Sequence, residues 1–197
     1  MRAVRYFDTG VVREGTLTDD GRVLAEPAPA GSPALEGLIT GLFTDHHVHL
    51  QLVDHTLLAA SRLGRVLDLG AEPGWIRGVA VRNSGDSGAR SADHAGSSAS
   101  GQVSPELREP IIAYAAPFLT APGGYPADRA WAPTGSVREV TDAADATAAV
   151  HEVAAAGAAV VKITANSIAG PVLDDDTVQA IVDAAVAEGL LVVAHAE

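Results

Sequence analysis

The sequence contains no cysteine, which removes disulfides, cysteine-ligated zinc and thiol nucleophiles together. Aromatic residues make up only 4% of it, so alanine and valine must supply most of the apolar surface of a core. Basic residues are also few: 13 Lys and Arg stand against 25 Asp and Glu, a net charge of -12. That balance argues against nucleic acid or an anionic membrane as a partner, because both are held through a basic footprint. No apolar run approaches the roughly 18 to 20 residues of a membrane helix. The opening Met1-Arg2-Ala3-Val4-Arg5-Tyr6-Phe7 lacks the apolar stretch of a secretory signal. The expectation is a cytoplasmic chain acting on a small molecule, with homo-oligomerisation left open. At 197 residues, 47% of them hydrophobic and 19% charged, the chain has the make-up of one globular domain or one and a fraction.

The most informative stretch is Phe43-Thr44-Asp45-His46-His47-Val48-His49-Leu50. A β-strand places residues i and i+2 on one face, so His47 and His49 project side by side, with Asp45 on the same face. Paired imidazoles on a rigid element suit a divalent transition metal. A single His-X-His is a weak signal in a chain with 7 histidines, and the rest of the sequence has to be weighed with it.

Before this stretch, Ala3–Phe7, Val11–Leu17 and Arg22–Ala25 read as short strands, with Asp19-Asp20-Gly21 as a hairpin turn. They outline a small β-lobe over residues 1–42, followed by a second part over 43–197. After it, Val53, Leu57, Ala60 and Leu63 recur at helical spacing, and Gly64 is a natural stop. Arg65–Leu69 is then a second strand, so the first β-α-β unit starts at the histidines. Residues 83–110 are rich in Gly, Ser, Asp and Arg and read as a long flexible loop. Its Gly85-Asp86-Ser87-Gly88 echoes the nucleophile region of trypsin-like proteases, but those are disulfide-bonded all-β proteins; His94 reads as solvated.

Pro110–Leu119, with Ile111–Ala116 at its centre, reads as a third strand, followed by the turn-rich loop Thr120–Pro126. Thr141 or Asp142 opens a helix whose buried stripe is Val140, Ala144, Thr147, Val150, Val153 and Ala154, with His151 off the stripe and Gly157 at its end. Ala158–Thr164 is a fourth strand containing Lys162, a cation in an apolar run. Such an ammonium either reaches solvent at the strand end or points inward as a ligand or catalytic group. Asp174 caps a further helix with Val178, Ile181, Val182, Ala185 and Val186 inside and Gly189 as its stop. Asp174-Asp175-Asp176 is explained by that helix start and not by a metal. Leu190–Ala194 is a fifth strand, apolar enough to be buried on both faces, and it leads into His195.

Three strands thus end in candidate ligands, and here the sequence resembles the amidohydrolase superfamily of metal-dependent hydrolases. The resemblance rests on Gly41-Leu42-Phe43-Thr44-Asp45-His46-His47-Val48-His49, on Val160-Val161-Lys162-Ile163 and on Val192-Val193-Ala194-His195. It implies an α/β fold: a TIM-like (β/α)8 barrel, of which about the first five strands are present, behind a small β-lobe. It implies a centre of one or two divalent metal ions, usually zinc. His47 and His49 would hold the more buried ion, Lys162 as a carbamate would bridge two, and His195 would bind the second. The implied reaction is hydrolysis of amide or cyclic-amide C–N bonds by a metal-activated water. The family also uses a histidine from strand six and an aspartate from strand eight. Neither is present, so no catalytic residue is assigned in this chain. About a hundred further residues are expected from the usual barrel size, and a truncated, inactive fragment is the expectation. Two alternatives differ in kind. A PHP-type phosphoesterase also opens with Asp-X-His-X-His, though without a preceding β-lobe. A non-catalytic barrel fragment would act as an interaction module and need no zinc.

Overall fold

The structure is a computed structural model and describes residues 1–83 and 109–197. Gly85–Gly88 and His94 therefore lie outside the described residues. The chain divides into two compact units, one holding Met1–Phe43 and the other the described residues that follow.

In the first unit, β1 (Arg2–Asp8), β2 (Val11–Leu17) and β3 (Val23–Leu24) form an antiparallel sheet in that order. Thr9 and Gly10 join β1 to β2 with φ of 44° and 90°, a two-residue loop whose positive φ values match strand twist. Gly15 is required on β2, because a Cβ there would meet the Leu24 carbonyl and the Tyr6 ring. Residues 33–39 run along the far edge of β1, with Leu35 N–H donating to the Ala3 carbonyl at 2.8 Å and Ile39 N–H to that of Arg5 at 2.8 Å. A cavity of about 370 Å³ opens in this unit among Val4, Arg5, Glu14, Pro27, Pro29 and Leu35.

The second unit begins with β4 (Phe43–Val48), β5 (Leu63–Asp68) and β6 (Ile111–Tyr114), hydrogen-bonded in that order, with β5 and β6 parallel. A second group runs β10 (Leu191–Ala196), β9 (Val160–Ala165), β7 (Phe118–Thr120) and β8 (Val137–Glu139), all parallel. Helix α1 (Pro73–Asn83) follows β5, α2 (Ala143–Ala155) precedes β9, and α3 (Asp175–Ala187) precedes β10. Val66, Ile76, Leu119, Val150, Val161 and Ile181 are fully buried between sheet and helices. Among the described residues, no helix is long and apolar enough to cross a membrane.

The strand expected at Pro110–Leu119 is two strands, β6 and β7. Ala116 takes a φ of 60°, and Pro117 follows it, so the ladder cannot run straight through. The kink lets one segment change partners. Its first half pairs with β5, and Phe118 and Leu119 pair with Lys162 and Ile163 of β9. Ala159 N–H donates to the Tyr114 carbonyl at 2.8 Å at the changeover, so the two strand groups are hydrogen-bonded to each other.

Three other expectations are corrected. Val53–Leu63 is not an α-helix but two 3₁₀ segments, Leu50–Leu52 and His55–Ala60, and Leu63 already belongs to β5. The periodic residues have nothing to cover them: Val53 and Leu57 are 62% and 69% exposed. The buried stripe of α2 is Ala146, Ala149, Val150 and Val153, while Ala144 and Thr147 face solvent. Finally, β10 is not buried on both faces. It ends the sheet order, and Leu191 is 74% exposed.

Candidate metal centre

All four expected ligands fall in the second unit. His47 lies near the end of β4 and His49 just beyond it. Their rings are 5.2 Å apart between centroids and nearly perpendicular, at 76°. Asp45, on the same face of the strand, is taken up by the backbone: its carboxylate accepts from His47 N–H at 3.0 Å. His49 is half-buried, its Nδ1 is buried without a hydrogen-bond partner, and its ring packs on Phe118 with centroids 5.5 Å apart. Burial pushes its pKa down, partly offset by the Asp68 carboxylate, so the neutral imidazole a metal requires is favoured.

Lys162 is almost wholly buried. It is 2% exposed and stands on β9 directly across from Phe118 on one side and Val193 on the other. No ion pair or hydrogen bond satisfies its ammonium among the described residues. Burial pushes its pKa down. Giving up the proton at pH 7 costs a lysine about 5 kcal/mol, set by the distance from its ordinary pKa. Whole domains are stable by only about 5 to 15 kcal/mol. A group this costly has a reason to be where it is.

His195 lies on β10 two residues beyond Val193, the register partner of Lys162, so His195 and Lys162 share one face of the sheet. Its Nε2 is buried without a hydrogen bond, the Glu197 carboxylate lies 3.9 Å from it, and its ring stacks on Tyr125 with centroids 5.3 Å apart at 29°. Tyr125 is held in turn by the Thr164 hydroxyl, which donates to its carbonyl, and by Arg129, whose guanidinium lies 5.7 Å over the ring. His47, His49 and Lys162 are therefore gathered around Phe118, whereas the recorded ring contact of His195 is with Tyr125.

The sequence reading passed over Asp68, which ends β5 and is 0% exposed. Its two oxygens accept from Leu50 N–H at 2.6 Å and Gly70 N–H at 2.9 Å, and burial pushes its pKa up. The available signal was a carboxylate between Leu67 and Leu69 at the C-terminal end of a strand, where ligands bind in parallel α/β folds. The sequence singled out the loop Phe118–Pro126 but assigned no role to Phe118 or Tyr125.

A divalent ion is tested against this donor set by what the side chains lack. Two buried imidazole nitrogens, His49 Nδ1 and His195 Nε2, make no hydrogen bond, and the nearly buried Lys162 has no anion beside it among the described residues. By donor type, imidazoles and a lysine able to become a carbamate suit a divalent ion, and His47, His49, Lys162 and His195 are the residues that would hold it. Among the described residues, no three His, Asp or Glu side chains are arranged to hold an ion.

No protein-family model matches the sequence, and no curated protein does either. Solved structures do match. A Xaa-Pro dipeptidase with methionine in its active site shares the fold with a TM-score of 0.65 at 17% identity, over 98% of this chain and 55% of its own. A prolidase in complex with N-methylphosphonate-L-proline gives 0.57 at 20%, over 99% and 55%. The ochratoxinase of A. niger gives 0.57 at 14%, over 100% and 55%. The chain spans about half the length of each. It has a mixed α/β fold with parallel sheets that matches part of the fold of amidohydrolase-type hydrolases.

Proposed function

We propose that this chain carries the first part of a metal-dependent hydrolase of the amidohydrolase type, acting on amide or cyclic-amide C–N bonds. The observation that carries the reading is Lys162: a buried, unpaired lysine on the same sheet face as His195 and beside the His47–His49 pair. When bound, one or two zinc ions would supply a water activated at neutral pH and would polarise the scissile carbonyl. His47 and His49 would hold the inner ion from the end of β4. Lys162 in its neutral form would attack carbon dioxide through Nζ, lose a proton to solvent and become a carbamate. That step turns a costly buried cation into an anionic oxygen donor. His195 would complete the outer position. Tyr125, stacked on His195, would keep that ring in one orientation and shield it from water.

The 197 residues are expected to bind metal. A zinc titration of the purified chain with and without bicarbonate, alongside Lys162→Met, tests the reading. Tighter binding with bicarbonate in the parent chain, and no such gain in the variant, is expected. Binding indifferent to both bicarbonate and Lys162 would remove the lysine from the centre.

A further inference from the structure

We propose that Asp68 is a positioning residue for the histidine pair, clamping the loop that carries His49 and supplying negative charge to a cation bound there. The inference rests on the metal-centre reading of His47 and His49 and adds a residue to it.

The geometry is that of a clamp between two neighbouring strand ends. Asp68 closes β5, which lies beside β4. One carboxylate oxygen accepts from Leu50 N–H, the residue directly after His49, and the other from Gly70 N–H in the loop leaving β5. Leu69 N–H donates to the Val48 carbonyl at 2.9 Å, so the backbone is tied on both sides of His49. Gly70 has a φ of 154°, and a Cβ there would run into the Phe118 ring that His49 packs against. His49 is thus fixed from its own backbone and from the aromatic surface below it.

The electrostatics ask for a cation. Asp68 is fully buried, and no Lys or Arg pairs with it among the described residues. The effective cost of burying an ion is several kcal/mol, and two N–H donors recover only part of it. The candidate ligand beside it, His49, has a buried Nδ1 that makes no hydrogen bond. Two neutral imidazoles bring no charge of their own to a divalent ion, and a carboxylate behind them does. A purely mechanical clamp would also explain the two hydrogen bonds, so the test must read the metal and not the fold.

Cobalt(II) is titrated into the 197-residue chain against a competing chelator, with visible absorption reporting the ligand field and far-ultraviolet circular dichroism the fold. Asp68→Asn keeps the shape but loses the charge and one acceptor. Folded Asp68→Asn should bind cobalt at least tenfold more weakly, with shifted bands, as expected when a residue behind a ligand is altered. Folded Asp68→Asn with affinity within twofold of the parent and unshifted bands would overturn the proposal. If that variant does not fold, Asp68→Glu keeps charge and both acceptors while moving the carboxylate by a methylene. It should bind several-fold more weakly with shifted bands, and parent-like affinity and bands in it would overturn the proposal equally. A parent chain that takes up no cobalt would instead defeat the metal-centre reading on which the inference stands.

Discussion

Strands β9 and β10 are parallel neighbours of six residues each, Val-Val-Lys-Ile-Thr-Ala and Leu-Val-Val-Ala-His-Ala. Each carries one candidate ligand, and by composition β10 is the more apolar. The structure reverses that order. Five of the six residues of β9 are buried, including the lysine, whereas no residue of β10 is. Among the described residues, β9 has β7 on one side and β10 on the other, and β10 pairs with β9 alone. Hydrophobicity says what a strand can tolerate, and sheet position decides what it receives.

The sharpest way to break this comparison is to remove the charge from β9. Lys162→Met is expected to stabilise the metal-free chain at pH 7 by an amount bounded by the ~5 kcal/mol of forced deprotonation. Urea midpoints of the two proteins check it, and destabilisation would mean that the ammonium is well paired. Ile163→Ala on β9 is expected to cost about 2 to 5 kcal/mol, while Leu191→Ala on β10 changes stability by less than about 0.5 kcal/mol. Equal losses at both positions would erase the distinction between the strands.

The helices that feed the two strands extend the comparison to smaller effects. Asp142 caps α2 by accepting from Ala144 N–H at 3.0 Å and Asp145 N–H at 2.9 Å, and Asp174 caps α3 by accepting from Thr177 N–H at 2.8 Å. Asp142→Ala should lower stability by about 1 kcal/mol and Asp174→Ala by somewhat less, read from thermal midpoints. Smallest is an acid effect on the β9 side. Arg138 beside Asp145 holds its carboxyl down at about 2, below the ordinary carboxylate value. A depressed folded pKa contributes stability that is whole above the unfolded pKa and is lost as pH falls towards the folded one. Asp145→Asn should therefore flatten the fall in stability between about pH 4 and 2.

What could be read from the sequence follows the same division. Helix starts were legible at Asp142 and Asp174 because a cap is a local device. The bounds of β2 were legible because polar turns flank it. Helix α1 was missed: Glu72 serves as its cap, with its carboxylate accepting from Gly74 N–H at 2.9 Å and Trp75 N–H at 2.6 Å, and Gly74 and Gly78 weaken its pattern. Pro73 at the first position was the signal that remained. The 3₁₀ stretch after His49 carried helical spacing, but Val53 and Leu57 of that pattern face solvent. In the candidate site, His47 and His49 stood out as a His-X-His pair, and Lys162 and His195 as polar groups in apolar strands. Phe118 and Tyr125 did not, since only the kink at Ala116–Pro117 and the following loop bring them to the histidines.

The central claim is that β4 holds a metal ion, and zinc content tests it most directly. The purified 197-residue chain, loaded and dialysed, is expected to retain about one or two zinc ions per molecule, as metal centres of this ligand type do. His47→Ala/His49→Ala should retain almost none while keeping its circular dichroism. A parent chain that retains no zinc, or a double variant that retains as much as the parent, would contradict the account.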